Sequence, residues 1–214
     1  MGLARFLDFL RPRRRAIPPP RLLVVGLGNK GPEYAGTRHN IGFELVERLA
    51  TELQDTRRRE TRHATVTTGR LDNATAVAVA KPMTYVNRSG VAVRELLERY
   101  GVAPADCLVA VDDFNLDLGV LRFRRSGSDG GHNGLKSIIE AVGREFPRLR
   151  MGIGPLPGGL SVVDFVLGRF EPDERVRKER MLETAAEAVG YYCEAGVAAA
   201  MNRYNAKKVG AGAP

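Results

Sequence analysis

Short apolar runs alternate with amphipathic stretches along this chain, a rhythm that predicts an α/β protein. Leu22 to Val25 is a continuous apolar run closed by the glycine-rich turn GLGNKG at 26–31, the mark of a strand buried on both faces. Ile41, Leu45, Leu49 and Leu53 then recur at helical spacing, which predicts an amphipathic helix over 41–53. The segment RRRETRH at 57–63 has no apolar period and reads as a polar crossing. Further strands are predicted over 64–68 and 74–80, around a turn at 71–73, and over 108–111, 120–123 and 149–153. Helices are predicted from Ser89, as a capping residue, to about Tyr100, over 135–142, briefly over 162–166, over 173–189 and over 196–204. Strands alternating with helices, without a repeat or an interdomain linker, imply one layered α/β domain.

Composition narrows the classes. The 214 residues are 43% hydrophobic and 27% charged, enough for a substantial core, which excludes a disordered chain and a disulfide-built miniature. No run approaches the roughly 20 apolar residues of a membrane-spanning helix. Cys107 and Cys193 stand alone, so neither a disulfide framework nor a cysteine metal site is expected, and a reducing, cytoplasmic compartment fits. The net charge of +8 invites a nucleic-acid reading, yet residues 1–21 hold +5 of it and residues 205–214 another +2. The intervening 22–204, the expected domain, is nearly neutral. Residues 1–21 read as a basic, proline-rich extension whose apolar stretch is too interrupted for a secretory signal. Contact with RNA or an anionic surface is one use for it, and simple solvation is another.

Three histidines limit the acid–base chemistry available: His39, His63 and His132. His63 lies among arginines that disfavour its protonated form. His39 in TRHN and His132 in GGHNG sit in polar, glycine-rich loops between predicted strands and helices, where open sheets place their sites. Asn29, Asn87 and Asn133 add neutral donors and acceptors, and Asp112 and Asp113 follow a predicted strand. A histidine oriented by one of these carboxylates suits a general base that activates water. The rivals fare worse. There is no HExxH or clustered Cys/His spacing for a metal, no GxSxG elbow for a serine nucleophile, and no acidic residue at a second strand end to complete a dinucleotide loop.

VGLGNKGPEYAGTRHNIGF at 25–43 and GSDGGHNGLKSII at 127–139 make the sequence resemble the bacterial-type peptidyl-tRNA hydrolase family. KPMTYVNRSG at 81–90, VDDFNLDLG at 111–119 and RLRMGIG at 148–154 follow in the family's order, and the likeness extends over 22–204. The resemblance implies a three-layer α/β/α domain with a twisted mixed sheet, acting as a monomer without metal or cofactor. It implies hydrolysis of the ester between a peptide and the terminal ribose of tRNA. His39 would be the general base, Asp112 its partner, and Asn133 the residue that orients water and supports the oxyanion. Asn29, Tyr34, Val86, Asn87, His132 and Asn133 would meet the substrate. Arg124, Arg150 and Lys136 would hold tRNA phosphate, and the loop 154–161 would form a cover. Lys30, Val86, Asn115, Asp117 and Asp129 depart from the family's usual residues. A non-hydrolytic RNA-binding relative is the alternative that the resemblance leaves.

Overall fold

The computed structural model describes residues 18–71 and 75–205. Its seven-stranded sheet comprises β1 (Leu22–Gly26), β2 (Gln54–Glu60), β3 (Ala64–Leu71), β4 (Thr75–Pro82), β5 (Cys107–Asp117), β6 (Leu121–Arg124) and β7 (Arg148–Gly154). The helices are α1 (Ile41–Glu52), α2 (Ser89–Tyr100), α3 (Asn133–Val142), α4 (Val162–Leu167) and α5 (Arg175–Tyr204). Strand order is β2-β3-β4-β1-β5-β7-β6. The central β4, β1, β5 and β7 run parallel, while β2, β3 and β6 join antiparallel, so the sheet is mixed.

Alternation along β1 builds the two cores. Val24 faces a cluster with Ile41, Leu45 and Leu49 of α1 and Leu182, Ala185 and Val189 of α5. Leu23 and Val25 face the opposite cluster with Val93 and Leu96 of α2 and Leu135 and Ile138 of α3. Helices therefore cover both faces, which explains why the first strand reads as an unbroken apolar run.

Three expectations are corrected. The stretch expected to be a polar crossing is β2, an edge strand exposed along its whole length. It has no apolar alternation because it buries neither face; backbone pairing with β3 alone defines it. β5 runs on to Asp117, so Asp112 and Asp113 lie within the strand rather than beyond it. Ser89 does not cap α2: it is buried inside the helix, and its hydroxyl donates to the Val86 carbonyl at 2.8 Å. The two final helices expected over 173–189 and 196–204 are both present within the α5 span, separated by a kink at Gly196, whose backbone is non-helical with φ at 79°. The expected turn at 71–73 falls largely outside the described residues, as do residues 1–17 of the extension and 206–214 of the tail.

Candidate active site

Close packing sets the frame of the site. α1 lies so near the end of β1 that a Cβ on Gly42 would fall 2.6 Å from the Leu27 backbone and 2.7 Å from the Ala110 carbonyl. Only glycine permits that approach. It brings the tight turn Arg38–Asn40, just before α1, over the carboxyl end of the sheet. Buried Arg38 anchors the turn: its guanidinium pairs with Glu174 at 2.5 Å, donates to the Arg169 carbonyl, and lies 4.7 and 4.9 Å from the Phe165 and Phe170 rings.

His39, nearly buried, places Nδ1 2.8 Å from Oδ1 of Asp112. His132 places Nε2 3.1 Å from the same oxygen, and the two rings are 5.1 Å apart. Burial alone would lower the His39 pKa, but the charge of Asp112 and its hydrogen bond outweigh that and raise it. Burial likewise opposes ionisation of Asp112, yet the histidines hold its carboxyl far below the usual carboxylate range.

The protons can be assigned by counting donors. His132 caps α3, and its Nδ1 accepts the Gly134 and Leu135 amides at 3.0 and 3.3 Å. Its single ring proton must then sit on Nε2 and point at Asp112. The carboxylate also accepts from His39, which puts that ring's proton on Nδ1 and leaves Nε2 with a free lone pair. The ligating atoms of His39, Asp112 and His132 lie within 4.8 Å of one another, a spacing a metal ion could bridge. However, a cation at His132 Nε2 would force a proton onto Nδ1, against two amides that already donate there. The donor set fits a hydrogen-bonded relay better than a metal centre.

Two cavities meet at His39 and Asn133 beneath Val163 and Val166 of α4. One, of about 600 Å³, is lined further by Asp112, Asp113, Asn115, Asp129 and Arg150. The other, of about 670 Å³, is lined by Asn29, Tyr85, Val86, Asn87 and Leu167. Asn29 is locked in place: Asn40 Oδ1 accepts its amide N–H at 2.8 Å, Asn40 Nδ2 donates to its carbonyl at 3.0 Å, and its own Oδ1 accepts from the Val86 N–H at 2.9 Å. Its side-chain NH₂ is what remains for a ligand. Asn87 and Asn133 are exposed at the cavity walls. Val163, 62% exposed, turns α4 into an apolar cover.

Other expected residues are arranged differently. Tyr34 lines neither cavity; its carbonyl accepts from the Thr37 hydroxyl at 2.8 Å. Arg150 pairs through Nε with Asp113 Oδ2 at 2.8 Å, so part of its charge is already engaged. Arg124 is half-buried on β6, and Lys136 is exposed on α3. Asp129 accepts the Gly131 amide at 2.8 Å, a contact that lowers its pKa and makes this departure a turn-former. Asn115 likewise donates its backbone N–H to Asp113 at 3.0 Å. Lys30 sits 5.6 Å over the Tyr85 ring. His63 meets Glu95 at 2.7 Å instead of standing among arginines alone. Burial pushes the Cys107 and Cys193 thiols up to about 12, which removes them as nucleophiles.

Sequence reasoning missed Asn40, Arg38 and Arg148. Asn40 had a signal, being part of TRHN. Arg148 likewise opens RLRMGIG, but only the folded chain shows its guanidinium buried and donating to the carbonyls of Gly127 and Ser128, both at 2.9 Å, ahead of the GGHNG turn.

An open sheet with parallel central strands, a buried histidine–carboxylate pair and two cavities converging on it defines a hydrolase of the α/β class. The model of the family described as peptidyl-tRNA hydrolase matches residues 23–211. The chain is 47% identical to the peptidyl-tRNA hydrolase of Synechococcus sp. (strain JA-3-3Ab), covering 86% of this chain and 82% of that one. It is 46% identical to the enzyme of Chloroflexus aggregans, covering 86% and 98%. The crystal structure of an Arg119Gln mutant of peptidyl-tRNA hydrolase from Acinetobacter baumannii superposes with a TM-score of 0.81 at 38% identity, covering 89% and 97%. The chain belongs to the peptidyl-tRNA hydrolase family.

Proposed function

We propose that this protein hydrolyses the ester joining an N-blocked peptide to the terminal ribose of tRNA, and so returns free tRNA. The observation that carries the reading is the His39–Asp112 hydrogen bond, which leaves His39 Nε2 unprotonated where the two cavities meet. His39 Nε2 takes a proton from water as the water oxygen attacks the ester carbonyl. Asn133 donates to the oxyanion that forms, and loss of such a donor costs about 3 kcal/mol. The imidazolium then gives the proton to the departing ribose oxygen as the carbon–oxygen bond breaks, leaving the peptide as a carboxylic acid that loses its proton to solvent.

The peptide lies along Asn29, Tyr85, Val86 and Asn87, and the tRNA end occupies the cavity beside Arg150. Arg124, Arg150 and Lys136 hold phosphate in this reading, with Asp113 orienting Arg150. The catalytic domain is 22–204, flanked by the basic extension 1–21 and the tail 205–214. It acts as a monomer in the cytoplasm, in keeping with two cavities lined by one chain. No helix among the described residues is long and apolar enough to cross a membrane. No observation favours the non-hydrolytic alternative.

Release of free tRNA from N-blocked and unblocked aminoacyl-tRNA tests the proposal. Selective cleavage of the blocked ester is expected, with kcat lowered about 10²- to 10⁴-fold by His39→Ala. Absence of cleavage, or full activity in that variant, overturns it.

A further inference from the structure

The sheet carries a second basic surface at the edge opposite Arg124. Arg57 and Arg59 project from the exposed strand β2 into an open cleft of about 880 Å³, which Pro18, Pro19, Arg99 and Tyr100 also line. Among the described residues, Arg57 and Arg59 make no ion pair; Arg99 reaches Glu95 only at 3.9 Å, and Glu95 is already bonded to His63. Arg58, on the other side of β2, pairs loosely with Glu60 at 3.6 Å. Tyr100 supplies an aromatic ring among these guanidinium groups. In the sequence, Arg11, Arg13, Arg14 and Arg15 precede Pro18 by at most seven positions.

Two arginines without an ion pair beside a third held only at 3.9 Å are the footprint of a phosphate backbone. Seven strands place β2 about 29 Å from β6, at about 4.8 Å per strand, with the ester-cleaving site between the two edges. We propose that Arg57, Arg59 and Arg99 form a second docking surface for the backbone of the substrate tRNA, remote from its acceptor end. The identity of the RNA rests on the function proposed above, but binding is read without hydrolysis, so either idea can fail alone. The competing use of edge arginines is to prevent sheets from joining edge to edge.

The test compares the full chain with the triple variant Arg57→Thr, Arg59→Thr, Arg99→Gln by fluorescence anisotropy with deacylated tRNA. The variant should bind roughly tenfold more weakly at 100 mM salt, and the slope of log affinity against log salt should fall by about 2. Affinity for a short acceptor-end oligonucleotide and kcat on a short blocked ester substrate should stay unchanged, because none of the three lines either cavity. An unchanged tRNA affinity overturns the proposal, including where the variant self-associates and so reveals an edge-protecting role. Binding of the wild type to anionic phospholipid vesicles but not to tRNA also overturns it.

Discussion

Asp112 shows how one oxygen can govern two histidines. Its Oδ1 accepts from His39 and from His132 and fixes the proton of each ring. The general base proposed at His39 works only when neutral, so its pKa, raised from 6.5, should put the acid limb of kcat/KM above that value. Asp112→Asn removes the attraction and leaves the burial that lowers the pKa. The acid limb should therefore move to lower pH while the limiting rate falls about 10²-fold or more, as a pH–rate profile checks. In the proposed mechanism His132 stands one step back from the water, as a positioning residue. His132→Asn keeps an acceptor for the α3 amides but loses the donor to Asp112. It should lower kcat while denaturant stability holds, whereas His132→Ala should also lose about 1 kcal/mol as a helix cap. Residue types and motifs put His39, Asp112 and Asn133 among the candidates, and the fold brings the three to one site. The proton assignment was not legible in the sequence, because it depends on which backbone amides reach His132.

At the scale of elements, legibility followed burial. β1 and α1 were readable because their apolar residues enter the core in a fixed period, with Leu45 fully buried. β2 was unreadable because an edge strand exposed on both faces has no period to display. Ser89 misled for a related reason: its hydroxyl suits a cap, but the preceding tight turn Val86–Arg88 offers it a carbonyl instead. Gly42 carries the junction on which His39 depends. Gly42→Ala would press a methyl group into the Leu27 and Ala110 backbone and should destabilise the fold by about 3 kcal/mol, read from urea unfolding. A surviving fold should also show lower kcat, since the turn 38–40 must move.

For the whole molecule, charge and catalysis occupy different places. The net +8 is concentrated in the terminal segments, while both cavities lie in the nearly neutral stretch between them. Deleting residues 1–17 should leave kcat at saturating substrate unchanged, measured on blocked aminoacyl-tRNA; a collapse would show that the extension takes part in turnover. The sequence by itself determined the alternation of elements, the buried faces of β1 and α1, and the set of histidine, aspartate and asparagine groups able to activate water. These are local properties, written in residue type and short-range period. Only the tertiary structure decided that both histidines share one carboxylate oxygen, that Arg150 is half engaged by Asp113, and that Arg57, Arg59 and Arg99 gather in one cleft at the far edge of the sheet. Each of those depends on contacts between segments tens of residues apart, which no local pattern encodes.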